Sequence, residues 1–199
     1  YGARIGITAF EIALMMSMVV IAGALAQLPV GRASDHTDRR FVLSAAAFGA
    51  ALFALALFFF SPRQGLPILI LTAAYGALAY TLYSIAVAHA NDHASSEDFI
   101  KVSGGLLLLY GFGTMIGPVL GAFLMERLRP DALFLATAAP HLLLGIYALL
   151  RARIRAPVPI EDREAFKSLP AERAVTPQAV LLDPRGEHED DEDVQPETT

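Results

Sequence analysis

The sequence has 199 residues, of which 55% are hydrophobic, and its mean hydropathy is +0.49. A soluble domain of this length has about 45–50% apolar residues, so this chain is more apolar than such a domain. It contains no cysteine, which excludes disulfide bonds and thiolate metal sites. Residues 1–155 carry eleven bases and eight acids (net +3), whereas residues 156–199 carry four bases and twelve acids (net −8). Nucleic-acid binding has no support, because the bases of the first part lie next to long apolar segments and the second part is acidic.

Five segments are long and apolar enough to cross a bilayer core, which requires about 20 residues of helix. They lie at residues 9–30, 41–60, 66–90, 103–125 and 132–150. Each is apolar almost all round, whereas a surface helix of a soluble protein carries a polar stripe. The sequence therefore predicts an all-α polytopic membrane protein, with residues 1–155 forming a transmembrane bundle in a lipid bilayer.

The basic residues between the spans predict the orientation of the bundle, because cytoplasmic loops carry an excess of Lys and Arg. One side of the predicted bundle collects seven bases, which are Arg32, Arg39, Arg40, Lys101, Arg151, Arg153 and Arg155. The other side collects four, which are Arg4, Arg63, Arg127 and Arg129. We therefore expect the first side to be cytoplasmic. The tail, 156–199, is then a cytoplasmic acidic segment, whose proline- and acid-rich composition predicts disorder.

A charged cluster separates the first two spans, within LPVGRASDHTDRRFVL at residues 28–43. Asp35 precedes Arg39 by four residues, which is the favourable order of acid and base in a helical turn. Asp35 also lies just before the second span, so we expect its carboxylate to cap the free backbone N–H groups of that helix. Gly31, which follows Pro29, permits a tight turn or a close helix contact.

The spacing of this cluster resembles the loop signature of the major facilitator superfamily, G-x-x-x-D-x-x-G-R-R, which joins the second and third helices of each six-helix half. The matching residues are Gly31, Asp35, Arg39 and Arg40. Asp38 replaces the second glycine of the signature, and His36 replaces a usual base. The resemblance implies a cytoplasmic gate loop formed by the four matching residues, in which Asp35 pairs with charges on neighbouring helices.

The fourth span contains LYGFGTMIGPVLGAFL, in which glycines recur every four residues beside a proline. Small residues at this spacing let helix backbones approach closely. The motif is similar to the G-x-x-x-G-P-x-x-G signature in the fifth helix of drug-antiporter members of the same superfamily. Its residues are Gly113, Gly117, Pro118 and Gly121. Taken alone, the motif is equally compatible with ordinary glycine packing between helices.

The order of the two motifs indicates which part of such a transporter the chain represents. The charged cluster follows the second helix of a half and the glycine motif lies in the fifth, so the five spans resemble helices eight to twelve, and the first helix of this half is expected upstream of Tyr1. The loop HANDHASSEDF at residues 89–99 looks like that of a poorly characterised bacterial inner-membrane branch. The resemblance implies a secondary transporter of a small solute that works by alternating access together with a missing N-terminal half, and that needs no cofactor.

Polar side chains at the depth of the spans are candidates to line a solute cavity. These are Gln27, Tyr80, Tyr83, Tyr110, Thr114 and His141, with Tyr75, Ser84 and Thr137 at similar depth. The alternative for each is a hydrogen bond to a neighbouring backbone, and His141 could be either a neutral packed side chain or a proton relay.

Two other functions fit parts of the sequence. His89 and His93 are four residues apart with Asp92 beside His93, a spacing that can bind a metal on one helix face and would suit a membrane-embedded metal-dependent enzyme. However, position 90 is alanine, so the general-base glutamate of an H-E-x-x-H protease is absent. A non-transporting membrane scaffold that dimerises through the glycine stripe is the third possibility, but it leaves the spacing of the charged cluster unexplained.

Overall fold

The computed structural model describes residues 1–93 and 99–155, with only the backbone at positions 99 and 100. These residues form five long helices, which are α1 (Ala9–His36), α2 (Arg39–Phe60), α3 (Leu66–Asn91), α4 (Phe99–Arg127) and α5 (Leu133–Ile154). All five are long and apolar enough to span a membrane, which confirms the predicted all-α membrane fold. The predicted acidic tail, 156–199, lies outside the described residues.

The first helix extends further than the predicted span. It begins after Thr8, whose side chain accepts a hydrogen bond from the Glu11 N–H while the Glu11 carboxylate accepts one from the Thr8 N–H, a reciprocal cap. It then continues through Pro29 to His36, beyond the predicted end at residue 30. Membrane helices tolerate an internal proline because the backbone group that it frees is satisfied locally. Gly31 therefore lies inside a helix, where it is buried, and not in a turn.

The predicted capping role of Asp35 was wrong. The residue that caps α2 is Asp38, whose carboxylate accepts a hydrogen bond from the Arg40 N–H at 3.0 Å. Asp38 directly precedes the helix, whereas Asp35 lies in the last turn of α1. The link between the two helices is only two residues long, and both of these residues, Thr37 and Asp38, adopt an extended conformation.

The centre of the bundle is α2, which packs against α3 on one side and α5 on the other, while α1 packs mainly on α3. The buried apolar face of α2 consists of five alanines and two leucines, and these are Leu43, Ala46, Ala47, Ala50, Ala51, Ala54 and Leu57. They recur with helical periodicity, so they form one smooth face that lets the neighbouring helices approach closely.

The closest approach between α1 and α3 depends on two glycines. A Cβ atom added to Gly76 would lie 2.7 Å from the backbone oxygen of Val19, and one added to Gly23 would lie 2.8 Å from the Cβ atom of Tyr80. Neither position has space for a side chain without moving a helix. These glycines hold α1 and α3 together, so that the ends of both helices meet at one side of the bundle.

The fourth helix is the least covered by the rest of the described chain. Its large exposed apolar side chains are Leu107, Leu108, Leu109, Phe112, Met115, Ile116, Val119, Leu120 and Phe123. Within the glycine motif, a Cβ atom added to Gly113 or Gly117 would meet no described atom within 4 Å. Gly121 is buried, and its added Cβ would lie 2.9 Å from Leu133. A helix-packing role for Gly113 and Gly117 therefore stays a prediction about partners outside the described residues.

Candidate functional site

The charged cluster at the α1–α2 junction centres on Arg39, whose side chain is only 1% exposed. Its Nε atom donates to Oδ2 of Asp92 at 2.7 Å. Its Nη1 atom donates to Ser34 Oγ at 3.2 Å and lies 3.3 Å from Oδ1 of Asp35. A buried guanidinium is tolerated only when its N–H groups are paired in this way. Arg39 therefore joins the end of α1, the start of α2 and the end of α3.

Asp92 is the partner of Arg39 that sequence analysis missed, since it was considered there only as a metal ligand. It caps the C-terminal end of α3, and its side chain is 2% exposed. The sequence feature that could have indicated this ion pair is the position of Asp92. It lies directly after an apolar span, on the same predicted side of the membrane as Arg39 and Arg40. A carboxylate at the end of a span that also faces a buried arginine is expected to be its ion-pair partner.

The neighbouring Arg40 makes a second, separate connection. Its Nε and Nη2 atoms bind both carboxylate oxygens of Asp38, the shortest contact being 2.7 Å. Its Nη1 atom donates to the backbone carbonyl of Arg151 at 3.1 Å, in the last turn of α5. Arg40 therefore holds the start of α2 against the end of α5. Two adjacent arginines thus tie together the ends of four helices.

We call this cluster the arginine latch. Its members are Ser34, Asp35, Asp38, Arg39, Arg40 and Asp92. Of the predicted gate residues, Asp35, Arg39 and Arg40 belong to it, and Gly31 lies buried one turn before it in α1. Asp35 is its most exposed carboxylate, with 30% of the side chain accessible. The ion pair between Asp35 and Arg39 is therefore the connection that solvent can reach most easily.

The predicted cavity residues lie at several helix interfaces instead of forming one group. Gln27 is buried on α1, and Tyr80 contacts α1 next to Gly23. Tyr83 and Tyr110 bring α3 and α4 together, with their ring centres 5.4 Å apart. These four side chains belong to three helices, α1, α3 and α4.

The remaining candidates lie elsewhere in the bundle. The ring centres of His141 on α5 and Tyr75 on α3 lie 5.7 Å apart. The Nδ1 atom of His141 is hydrogen-bonded to the Thr137 carbonyl. His141 is therefore packed at the α3–α5 interface. Thr114 is exposed on α4, and its hydroxyl donates to the Gly111 carbonyl at 2.8 Å.

A second polar cluster lies at the opposite end of the bundle. The Tyr1 hydroxyl donates to Oδ1 of Asp131 at 2.9 Å, and burial together with this hydrogen bond raises the pKa of Tyr1. Arg129 lies 3.6 Å from Oδ2 of Asp131, and it also donates to the Phe58 carbonyl and to Ser61 Oγ. This cluster ties the chain before α1 and the turn before α5 to the end of α2.

The two histidines after the third span lie side by side. The ring centres of His89 and His93 are 4.6 Å apart, and Nδ1 of His93 lies 2.9 Å from the His89 carbonyl. The adjacent Asp92 is already bonded to Arg39. In the part of the chain that the structure describes, no group of three or more His, Cys, Asp or Glu could hold a metal ion.

A comparison with family models decides the family of the chain. The model of the Major Facilitator Superfamily matches residues 1–185. The chain belongs to the Major Facilitator Superfamily. This membership confirms the resemblance drawn from the charged cluster and the glycine motif.

The relatives of this superfamily member are themselves described as transporters. The chain is similar to the "Uncharacterized MFS-type transporter YcaD" of Shigella flexneri serotype 5b (strain 8401) and of Escherichia coli (strain K12 / DH10B), with 30% identity over 155 residues in each case. The matched region is 78% of this chain and 39% of each relative, so the chain spans about two fifths of their length. No solved structure matches the chain. The superfamily and these relatives point to a transporter and not to an enzyme.

Proposed function

We propose that the chain is the C-terminal part of a secondary active transporter, which carries a small solute across a bacterial inner membrane by alternating access. Support comes from the superfamily membership, from the five membrane-spanning helices and from the share of the relatives' length that the chain covers. In this mechanism two helical halves rock about a central site. The N-terminal half of the same transporter is then the principal partner of this bundle.

The arginine latch lies on the cytoplasmic side of the membrane in this proposal. The end of the bundle that carries the latch also carries exposed arginines in α1, in α5 and directly after α5, which are Arg32, Arg153 and Arg155. An excess of basic residues near helix ends favours the cytoplasmic face and contact with anionic lipid. The second polar cluster, at Asp131 and Arg129, then faces the periplasm, and the tail that follows α5 is cytoplasmic.

The latch acts as the cytoplasmic gate of the transporter. Asp92 is buried with Arg39, so this ion pair keeps α2 and α3 together throughout the transport cycle. Asp35 is partly exposed and contacts Arg39 from α1, so this contact is the one that can break when the cytoplasmic side opens. The observation that carries the proposal is therefore the unequal burial of the two carboxylates that share Arg39.

The solute site is formed between this bundle and the N-terminal half. We assign Tyr80, Tyr83 and Tyr110 to its wall, because these partly exposed polar side chains belong to α3 and α4. Gln27 is buried within this bundle and is not assigned to the wall. Thr114 lies one helical turn beyond Tyr110, and its exposure makes it available to the second half. His141, on α5, packs against Tyr75, so we do not assign it to the wall of the solute site.

Replacing Asp35 with asparagine tests the gate. Arg39 keeps Asp92 and Ser34 as partners, so we expect normal amounts of protein in the membrane but transport about fivefold slower, since a partly exposed ion pair contributes about 1 kcal/mol. Uptake of radiolabelled amino acids, sugars and cationic dyes into proteoliposomes that contain the full-length transporter identifies a carried solute, and the rates of the variant and wild type are then compared.

The matched control is Glu126→Gln, which removes an exposed carboxylate at the opposite end of the bundle. We expect this variant to transport at the wild-type rate. If the Asp35→Asn variant also transports at the wild-type rate, with equal amounts of protein in the membrane, the latch is not the cytoplasmic gate.

A further inference from the structure

The second polar cluster differs from the arginine latch in how deeply its carboxylate is buried. The side chain of Asp131 is only 5% exposed, whereas that of Asp35 in the latch is 30% exposed. One carboxylate oxygen of Asp131 accepts a hydrogen bond from the Tyr1 hydroxyl at 2.9 Å, and the other lies 3.6 Å from Nε of Arg129. Breaking a buried pair costs much more than breaking an exposed one, so the contacts of Asp131 are the more permanent.

The second polar cluster is attached to both α2 and α5. The Nη2 atom of Arg129 donates to the Phe58 carbonyl and to Ser61 Oγ, and its guanidinium carbon lies 4.3 Å from the centre of the Phe58 ring. The ring of Tyr1 packs edge to face on that of Phe134 in α5, with centres 4.8 Å apart. The chain before α1 is therefore fixed to the start of α5 and to the end of α2.

The segment between Tyr1 and α1 carries this attachment to the first helix. Residues Gly2–Ile5 form a short 3₁₀ helix that packs closely on α1, since a Cβ atom added to Gly2 would lie 2.6 Å from Cγ1 of Ile12. The chain then turns at Gly6, whose φ of +79° favours glycine, and α1 follows. The N-terminal end of α1 is therefore held at the second polar cluster.

The length of α1 makes it a lever between the two clusters. A helix rises about 1.5 Å per residue, so the axis from Ala9 to Asp35 is about 39 Å long. Over this length, a rotation of about 5° about the N-terminal end moves Asp35 by about 3 Å. Asp35 lies 3.3 Å from Arg39, so this rotation is enough to separate the pair. The same rotation moves Val19, which meets Gly76, by only about 1 Å, so α1 stays packed on α3.

We propose that the second polar cluster is the pivot of the cytoplasmic gate, with Asp131 as its positioning residue. Asp131 fixes the N-terminal end of α1, and the gate opens by rotation of α1 about this end. This inference rests on the proposed function, because it takes the contact between Asp35 and Arg39 as the gate. It extends that function by giving the gate a fixed point at the other end of the same helix.

Distances between spin labels report which end of α1 moves. The chain has no cysteine, so a nitroxide pair can be introduced into the full-length transporter, with other cysteines removed, in nanodiscs. One label is at Leu52→Cys on α2, and the other is at Phe10→Cys or Ala33→Cys, which are exposed positions near the two ends of α1. In Asp35→Asn we expect double electron–electron resonance to show a change of about 3 Å between positions 33 and 52, and none between positions 10 and 52.

Replacing Asp131 with asparagine tests the pivot itself. We expect the distributions of both distances to broaden, because α1 loses its fixed end. A merely local role of Asp131 would leave position 33 unchanged, since this position lies at the far end of α1. Tyr1→Phe is the milder variant, which keeps the ring and removes only the hydroxyl, so we expect a smaller broadening in both pairs. The matched control is Tyr147→Phe, which removes an exposed hydroxyl from α5 and should change neither distance.

Two results would overturn the proposal. The first is that Asp35→Asn changes the distance from position 10 as much as the distance from position 33, because α1 would then move as a whole. The second is that Asp131→Asn leaves both distributions as narrow as in the wild type. If Asp35→Asn changes neither distance while Asp131→Asn broadens both, the gate assigned to Asp35 is wrong and the fixed end of α1 is supported. The failure of the gate and the failure of the pivot are therefore distinguishable.

Discussion

Replacing Arg39 with methionine is expected to destabilise the bundle by about 3–5 kcal/mol, the cost of removing one partner from a buried ion pair. The substitution removes the donor that binds Asp92, and it leaves a carboxylate whose side chain is 2% exposed without its counter-charge. Asp35 also loses its connection to α2. We expect a lower yield in the membrane and a lower midpoint of thermal unfolding in detergent, measured by fluorescence-detected size-exclusion chromatography.

A second substitution shows how much of the lower thermal midpoint comes from the unpaired carboxylate and how much from lost side-chain packing. In Arg39→Met/Asp92→Asn no buried carboxylate remains opposite the methionine, so most of the loss in the midpoint is expected to return. The control is Arg32→Met, which removes an exposed arginine from the same end of the bundle and should leave the midpoint unchanged. Equal midpoints for Arg39→Met and Arg32→Met would contradict the buried ion pair.

Replacing Gly76 with alanine is expected to have the next largest effect, a loss of about 1–3 kcal/mol from overpacking. The added methyl group would lie 2.7 Å from the Val19 oxygen and 3.0 Å from the Val19 Cα atom. Both are backbone atoms, so no side chain can turn away to make space. We expect α1 and α3 to separate, which the thermal midpoint in detergent reports.

The matched control for this substitution is Gly104→Ala. Gly104 lies in α4, where an added Cβ would meet no atom of the described residues within 4 Å. Alanine favours a helix over glycine by about 0.5–1 kcal/mol, so the control is expected to raise the midpoint slightly or leave it unchanged. A midpoint that rises equally in both variants would show that α1 and α3 do not cross closely at Gly76.

The apolar length of each span allowed the helices to be predicted closely from the sequence. The predicted segments 41–60 and 66–90 correspond to α2, Arg39–Phe60, and α3, Leu66–Asn91. The end of α1 was harder to predict, because Pro29 and Gly31 are turn signals in soluble proteins but are tolerated within a membrane helix.

The partners in the arginine latch were only partly predictable. The local pair of Asp35 and Arg39 follows from a four-residue spacing, and the structure contains it. The pair of Arg39 and Asp92 depends on how α2 and α3 cross, which no local pattern encodes. Asp38, which departs from the family signature, supplies both the cap of α2 and the partner of Arg40. A departure from a signature can thus carry a structural role of its own.

The predicted solute cavity stays a prediction, because the sequence could not show how its side chains are arranged. Hydropathy identifies polar residues at depth, but it does not give the rotation of each helix about its axis. Tyr83 and Tyr110 lie together, whereas His141 packs against Tyr75 on another interface. Thr114 remains exposed on α4, so its position reports directly on access to the proposed solute site.

Accessibility of position 114 from the two sides of the membrane tests alternating access most directly. Thr114→Cys in the full-length transporter, with other cysteines removed, is exposed to a membrane-impermeant maleimide in right-side-out and inverted vesicles. Leu143→Cys, an exposed apolar position on α5, is the control that should react from neither side. We expect reaction at position 114 from both sides, with Asp35→Asn raising the cytoplasmic rate and lowering the periplasmic rate. Reaction from one side only, unchanged by Asp35→Asn, would contradict a gated transporter.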